Sequence, residues 1–279
     1  MILLSRRTVL QFASAIVPAQ LAGWPTLLSA QSTPASAPVP TPPDTFPRHP
    51  PEMVREVVLV SHFSEKRLRE LVEPRPALAR AAYDWGFGDW ETALGAASHM
   101  GNRPIAEYLL SRGARPSLFS AAMLGQLDVV KAFVAAMPDS HRIRGPHSIS
   151  LLSHAKAGGA AARQVFEYLQ TLDGAGDDVE SPLTDSDRAL LVGTYVFGGV
   201  PNQQVDITLE PTRDPKVRQL TWTRKGTFGR PLFHLGDRVF HPAGAAAARI
   251  RFTEEPDAVL MTVSDPDVLL TARRKKSQA

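Results

Sequence analysis

Cysteine is absent from this chain, and an excess of charge of either sign is almost absent as well. None of the 279 residues is a cysteine, which excludes disulfides, thiol catalysis, cysteine-ligated zinc and a lipid anchor on cysteine. The formal net charge is only +3. A charge this small gives no reason to expect a nucleic acid as the partner.

Motifs of common catalytic sites are also missing. The chain has no G-x-S-x-G elbow, no H-E-x-x-H helix, no P-loop and no G-x-G-x-x-G that follows a strand. Beyond the N-terminal region, no run of about 18 apolar residues indicates a membrane span. We therefore expect a mature chain without a membrane span, without catalytic residues, and with neither a cofactor nor a bound metal.

Three histidines close together in the sequence suggest two alternatives to that expectation. They are His141, His147 and His154. A metal site needs a further donor, and Asp139 is the only carboxylate nearby. Ser148 and Ser150 beside His147 suggest a nucleophile, but nothing in the sequence places an orienting acid or an oxyanion hole. An exposed loop and a histidine on a helix face are the simpler interpretation.

Residues 1–30 have the pattern of an export signal. The segment SRRTVLQ at residues 5–11 resembles the twin-arginine pattern S-R-R-x-F-L-K of the Tat pathway, and an apolar run follows it. The resemblance implies a bacterial protein that is periplasmic or secreted. A disordered or anchoring N-terminus is the alternative. Residues 31–51 are rich in proline, serine, threonine and alanine, which predicts an extended linker.

A pair of short helices is predicted between Thr92 and Ala114. Apolar residues recur three and four apart on both sides of Gly101, and Gly113 closes the second helix. Helices this short are not stable alone, so we expect neighbours to bury them. The segment resembles the ankyrin repeat, whose pattern reads T-P-L-H-x-A-A-x-x-G-H-x-x-I-V-x-x-L-L-x-x-G-A. The matching positions are Thr92, Leu94, Ala97, Gly101, Ile105, Leu109, Leu110, Gly113 and Ala114.

The resemblance implies an α-helical solenoid of about four ankyrin-type repeats over residues 52–174, with atypical repeats at its ends. Ala93 and Gly95 replace the proline and histidine of the family pattern. In the family, the threonine and histidine side chains link the helix start to the neighbouring turn, so we expect this link to be weaker here. The match is specific for fold and nearly silent about function, because ankyrin arrays bind unrelated partners.

The pattern changes from helical to alternating after a second linker at residues 175–184. About eight short segments within residues 185–274 alternate apolar and polar residues, and turn-forming residues separate them. This pattern predicts a small antiparallel β-barrel or sandwich. The stretches LVGTYVFG, FHPAG and RIRF resemble small β-barrel domains attached to exported bacterial hydrolases. Residues 275–279 form a short basic tail.

Residues 81–91, with the sequence AAYDWGFGDWE, form the most aromatic stretch of the chain, and we call them the aromatic connector. Its rings either cover the end of the first helix pair or project as a finger toward a protein partner. We expect Asp84 and Asp89 to lie outside, and Trp85 or Trp90 to be packed. The predicted partner-binding residues are Tyr83, Asp84, Trp85, Phe87, Asp89 and Trp90.

These patterns predict an exported, non-catalytic scaffold that binds an unknown protein partner through an ankyrin-repeat surface. The alternative is an accessory module of an exported hydrolase, whose β-domain binds a small ligand or a partner enzyme. Association with the cell envelope through the basic tail is a third hypothesis.

Overall fold

The computed structural model describes residues 44–177, 179–198, 203–212, 217–266 and 268–274. The predicted export signal, most of the first linker and the basic tail lie outside these residues, so they stay predictions. The described residues from Thr45 onward belong to one compact unit. Within it, a helical region comes first and a β-barrel follows.

Eight helices form the helical region, and a ninth precedes the barrel. They are α1 Pro51–Val60, α2 Glu65–Val72, α3 Ala93–His99, α4 Arg103–Ser111, α5 Leu118–Met123, α6 Leu127–Ala136, α7 Leu151–Ala157, α8 Arg163–Gln170 and α9 Asp185–Leu191. A hairpin of two strands, β1 Ala82–Asp84 and β2 Trp90–Thr92, separates α2 from α3. None of the helices in the described part of the chain combines the length and hydrophobicity that a membrane crossing requires.

The predicted helix pair at the centre of this region, α3 and α4, is confirmed, and local chemistry explains its ends. Thr92 begins α3, because its side-chain oxygen accepts a hydrogen bond from the backbone N–H of Gly95 at 2.9 Å. Gly101 follows α3 with φ of +68°, a left-handed conformation that glycine adopts without strain. A Cβ at Gly101 would overlap the carbonyl oxygen of Ala157 at the end of α7, so the close approach of α3 and α7 also requires glycine.

The predicted solenoid of ankyrin-type repeats is wrong. In such a solenoid each repeat contacts only its neighbours, whereas α3 contacts α1, α5 and also α7. The connections between successive helix pairs differ in kind as well. The first contains a 3-10 turn and the β1–β2 hairpin, the second is a short turn, and the third contains two 3-10 turns. The motif therefore specifies a local helix pair but not a repeated unit.

Two apolar clusters stabilise the helical region. The first includes Val57, Leu68 and Leu109 from α1, α2 and α4, all of them fully buried. The second lies among α5–α8 and includes Leu151 and Leu169, which are also fully buried. Because α3 contacts helices of both groups, it lies at the centre of the helical region.

The C-terminal part is a closed barrel of eight antiparallel strands, which confirms the predicted small β-barrel. Each strand pairs with its sequence neighbours, and β10 pairs with β3 to close the barrel. The strands are β3 Gly193–Phe197, β4 Gln204–Pro211, β5 Arg218–Arg224, β6 Arg230–Gly236, β7 Val239–Pro242, β8 Arg249–Glu255, β9 Ala258–Asp265 and β10 Val268–Arg274.

Alternating side chains fill the interior of the barrel. Along β9, Val259, Met261 and Val263 are buried and the residues between them are not, as the period of two along a strand requires. Tyr195 on β3 is fully buried, and its hydroxyl donates a hydrogen bond to the carbonyl oxygen of Leu191 at 2.9 Å. Since Leu191 ends α9, this bond joins the short helix to the barrel core.

Candidate metal centre between the helices and the barrel

Two acidic side chains of the aromatic connector are buried. Antiparallel pairing of β1 with β2 places Asp84 opposite Trp90. Because side chains alternate along a strand, Asp89 and Glu91 share one face of the hairpin and Trp90 lies on the other. Asp89 is 2% exposed and Glu91 is 0% exposed, whereas Trp90 is 65% exposed. The acidic face of the hairpin therefore points inward, which is the reverse of what hydrophobicity predicts.

Three histidines surround the carboxylate of Glu91. His62 follows α1, His99 is the last residue of α3, and His147 lies in the 3-10 turn at Pro146–Ser148. The distance from a Glu91 oxygen to Nε2 is 2.9 Å for His99 and 3.5 Å for both His62 and His147. One ligand atom from each of the four residues lies within 4.8 Å of the others. We call His62, Glu91, His99 and His147 the histidine–glutamate cluster.

Acceptors behind two of the imidazole rings fix their tautomers. Nδ1 of His62 lies 3.0 Å from the carbonyl oxygen of Leu59, and Nδ1 of His147 lies 2.7 Å from Oδ2 of Asp89. Each Nδ1 donates its proton to these oxygens, so in the neutral rings the Nε2 lone pair faces Glu91. A carbonyl or carboxylate behind the ring is also the usual support of metal-ligating histidines.

The buried charges of the site require a compensating cation. Asp89 and Glu91 are two anions, and Arg230, 3.0 Å from Asp89, supplies one positive charge. Burial raises the pKa of Glu91, but its interactions with His147 and His99 outweigh burial and lower the pKa to about 2. Burial lowers the pKa of His147, but Asp89 and Glu91 outweigh it and raise the pKa to about 9. A proton on His147 therefore balances the charge where no other cation does.

His99 is held in its neutral form, which is the form that ligates metals. Burial lowers its pKa, and the carboxylate of Glu91 opposes this effect only in part. Burial also lowers the pKa of the neighbouring His154 to about 4. The ring centroids of His99 and His154 are 6.3 Å apart, and Nδ1 of His154 is bonded to the carbonyl oxygen of Ser150. His154 therefore lies behind the cluster and is not one of its donors.

Asp89 connects the cluster to the barrel. Its Oδ1 accepts a hydrogen bond from the backbone N–H of His147 at 2.9 Å. Its Oδ2 accepts one from Nδ1 of His147 at 2.7 Å and one from Arg230 at 3.0 Å. Arg230 begins β6, is 7% exposed, and also donates to the carbonyl oxygen of Ala243 at 2.8 Å. Through Arg230, Asp89 thus connects His147 of the helical region to the start of β6 and to Ala243, which follows β7.

The backbone at His147 and Ser148 is strained. Their φ angles are +59° and +62°, in the left-handed region that residues with a Cβ avoid. Such conformations cost about 1–3 kcal/mol each and persist where the surroundings hold them. Asp89 holds the N–H of His147, and Oγ of Ser148 accepts a hydrogen bond from the N–H of Gly244 at 2.8 Å. Strain that is held by contacts on both sides is characteristic of functional sites.

One side of the histidine–glutamate cluster faces solvent. The side chains of Glu91 and His99 are 0% and 6% exposed, whereas those of His62 and His147 are 17% and 29% exposed. Trp85 lies near this opening, since its Nε1 donates to Glu91 at 2.8 Å and its ring centroid lies 6.5 Å from that of His147. His62 and His147 are therefore the members of the cluster that solvent contacts most.

Two aromatic rings of the aromatic connector pack on the barrel of the same chain. Trp85 contacts Phe228 with ring centroids 5.6 Å apart, and Phe87 contacts Trp222 at 5.4 Å. The expectation that Asp89 lies outside is wrong. Its buried carboxylate pairs with Arg230 and His147, which are both far from it in the sequence.

Of the remaining predicted partner-binding residues, only Trp90 is exposed. Tyr83 and Asp84 are half-buried, and Asp84 accepts a hydrogen bond from the N–H of Gly86 at 2.7 Å, which shapes the hairpin turn. Trp90 is the most exposed of the six, because the alternation of β2 turns it away from the site. Binding of a protein partner by these residues stays a prediction.

Only one of the three histidines that lie close in sequence, His147, belongs to the cluster. The ring nitrogens of His141 lie 2.6 Å and 2.9 Å from the carbonyl oxygens of Pro138 and Asp173, so His141 is a structural residue. Asp139, the carboxylate near them in sequence, has a side chain that is 94% exposed. Sequence reasoning missed the other members, His62, Glu91 and His99. The alternation of acidic residues on the two sides of Trp90, Asp89 just before β2 and Glu91 within it, is the one local signal that points to them.

Trp85→Phe is expected to lower the free energy of unfolding by about 1–2 kcal/mol, because a buried carboxylate loses a hydrogen-bond donor while the aromatic packing stays. Urea denaturation of the full chain measures the change. Trp90→Phe is the matched control, since Trp90 is largely exposed and should tolerate the substitution. Equal losses in the two variants would contradict the role assigned to Trp85.

The cluster offers three imidazole nitrogens and one carboxylate to a ligand, with a supporting shell and an opening to solvent. Comparison with protein-family models, with curated proteins and with solved structures gives no match to this chain. The geometry of the histidine–glutamate cluster is therefore the feature of this chain that indicates a function.

Proposed function

We propose that this protein binds a divalent transition-metal ion at the histidine–glutamate cluster. The observation that carries the proposal is the convergence of three Nε2 atoms on the buried carboxylate of Glu91. Nδ1 of His62 and Nδ1 of His147 donate to acceptors behind the rings, so each Nε2 atom faces that carboxylate, where its lone pair would be repelled without a cation. In the metal-free protein the proton on His147 serves as that cation, and a metal ion can replace it. An ion bonded to all four groups removes the repulsion and offsets the negative charge.

The donor set selects the class of ion. Three imidazoles and a carboxylate suit zinc and its neighbours in the transition series, whereas calcium and magnesium prefer oxygen donors alone. Zinc bonds of about 2.0–2.1 Å place tetrahedral donors roughly 3.4 Å apart. The separations of 3.5 Å from Oε2 of Glu91 to His62 and to His147 are close to this, and His99 lies 2.9 Å from the other oxygen, Oε1. Since separations within the cluster extend to 4.8 Å, some of the donors must move inward to bind one zinc ion. Zinc is therefore the probe ion for the test.

A metal-free role in proton transfer fits the site less well. The Asp89–His147 pair has the geometry of a carboxylate that orients a general base. Burial lowers the pKa of His147, but the two carboxylates outweigh it and raise the pKa to about 9, so without a metal the ring is already protonated near neutral pH. A base in that state has no free lone pair to accept a proton.

To test the proposal, the full chain is freed of metal with a chelator, and its binding of zinc is measured by isothermal titration calorimetry and elemental analysis. We expect one zinc ion per chain and a higher melting temperature in the presence of zinc. Glu91→Gln keeps the size of the side chain and an oxygen acceptor but removes the anionic donor. It should weaken zinc binding roughly 100-fold, at the upper end of the effects seen when groups around a metal are altered.

Two controls separate loss of a ligand from loss of the fold. His49→Gln removes an exposed histidine outside the cluster and should leave the affinity for zinc unchanged. Circular dichroism of the metal-free Glu91→Gln variant should match that of the metal-free parent. If the parent binds no zinc, or if folded Glu91→Gln binds it as tightly as the parent, the proposal fails.

The function predicted from the sequence, binding of a protein partner by an exported chain, stays a prediction beside the metal site. Trp90 is the observation that favours it, because a tryptophan that is 65% exposed is a typical anchor of a protein interface. The two functions are compatible, since Trp90 and Glu91 lie on opposite faces of β2.

A further inference from the structure

An arginine lies over the aromatic rings beside the opening of the histidine–glutamate cluster. Arg55 is on α1, seven residues before His62, which lies just beyond the C-terminal end of that helix. Its guanidinium carbon lies 5.7 Å from the ring centroid of Trp85 and 5.4 Å from that of Phe228. Trp85 in turn donates to Glu91, so a single indole ring connects Arg55 to the cluster.

Arg55 has no acidic partner among the described residues, although Arg67 and Arg69 of the neighbouring α2 do. Glu56, its neighbour in sequence, pairs instead with Arg67 at 2.7 Å. The side chain of Arg55 is half-buried, which limits its hydration. A guanidinium stacked on aromatic rings keeps its N–H edge free, and that edge matches the paired oxygens of a carboxylate or phosphate.

We propose that the metal centre binds a small anionic ligand that carries a carboxylate or phosphate group. Arg55 binds that group, and the ligand approaches the metal from the side of His62 and His147. The inference rests on the metal site proposed above. Its basis is the coincidence of a cation that lies over two aromatic rings and has no acidic partner among the described residues, a flanking indole and the two partly exposed histidines of the cluster. With four protein donors on the ion, a ligand oxygen would enter on the solvent side as a fifth donor, as in zinc sites that expand to five-coordinate.

Cobalt(II) replaces zinc as the probe ion in the test, because its visible absorption reports changes of coordination. The cobalt-loaded full chain is titrated with inorganic phosphate and, separately, with acetate at constant ionic strength. We expect a saturable change in the spectrum with at least one anion. Arg55→Gln should raise the Kd of that anion roughly tenfold, as the loss of a hydrogen bond to a charged group predicts, and should leave the cobalt content unchanged.

Arg112→Gln is the matched control, because Arg112 also lies over an aromatic ring, 5.3 Å from the centroid of Tyr108. Arg112 caps the C-terminal end of α4 and is not part of the histidine–glutamate cluster. It should leave the Kd of the anion unchanged. A response to phosphate alone or to acetate alone identifies which anionic group the site prefers, and elemental analysis after the titration shows that the anion has not removed the metal.

Three results would overturn the inference. Bound cobalt whose spectrum responds to neither anion leaves the metal centre standing and removes the anion site. An unchanged Kd in Arg55→Gln removes the role of Arg55, and loss of cobalt from that variant makes Arg55 a structural support of the metal site. Failure of the parent chain to bind cobalt is a separate result, since it refutes the proposed function itself.

Discussion

Arg230→Met is expected to lower the free energy of unfolding by about 3–5 kcal/mol, because it removes one of the two cations that balance the buried carboxylates of Asp89 and Glu91. Asp89 is 2% exposed and Arg230 is 7% exposed, so water cannot replace the lost partner. Methionine keeps most of the volume of the arginine stem, which limits the loss of packing. Urea denaturation of the metal-free full chain measures the effect.

The double variant Asp89→Asn/Arg230→Met separates the charge from the packing. Removing both charges should be less destabilising than the sum of the two single changes, since the coupling of a close buried pair is about 0.5–3 kcal/mol. Arg163→Met is the surface control. Its ion pair with Glu167 is exposed, and the variant should be nearly as stable as the parent. Additive effects of the two buried substitutions would contradict a direct Asp89–Arg230 interaction.

Gly244→Ala is expected to lower the free energy of unfolding by roughly 2–4 kcal/mol, through two effects. The φ angle of +78° costs a residue with a Cβ about 1–2 kcal/mol. In addition, the new Cβ would overlap the carboxylate of Asp89, and such overpacking costs about 1–3 kcal/mol. Because Asp89 orients His147, zinc affinity should also fall by roughly 10- to 100-fold.

Gly226→Ala is a matched control for this substitution. Gly226 has a φ angle of +83°, but no heavy atom lies within 4 Å of the place where its Cβ would be. The control variant should therefore show the backbone cost alone and no change in zinc binding. If both variants lose the same stability and both keep the parent's zinc affinity, the contact between Gly244 and Asp89 has no effect on the site.

The barrel is the part of the fold that the sequence predicts best. Buried Val259, Met261 and Val263 recur at every second position of β9, and turn residues separate the strands. The number and position of the strands are therefore local information. Sequential antiparallel pairing then follows, because neighbouring strands joined by short turns pair with each other. Closure through β3 and β10 is the one pairing that local patterns do not specify.

The helical region shows where a motif stops being informative. Thr92, Gly101 and Gly113 specify caps and ends, and the structure confirms the helices between them. The contact of α3 with α7 depends instead on the glycine at 101 meeting the backbone of Ala157, which no property of the segment 92–114 reveals. A good local match therefore predicted the wrong global arrangement.

The candidate site was beyond sequence reasoning for a different reason. Apolarity predicts that Trp90 points inward and that its acidic neighbours point outward, and the structure has the opposite arrangement. Burial of Asp89 and Glu91 is favourable only because Arg230 and the three histidines meet them there. Those partners come from remote segments, so no pattern within one helix or strand contains the information.

The spacing of the cluster residues along the chain affects how much a bound ion would stabilise the fold. An ion bonded to residues 62, 91, 99 and 147 closes large loops, which removes conformations from the unfolded chain much as a covalent cross-link does. A chain with no cysteine has no permanent cross-link of this kind. The metal would serve as a removable one, worth about 2.7 kcal/mol when the free ion is at 100 times its Kd. The fraction of chains with folded helices would then depend on the concentration of free metal in the compartment where the protein resides.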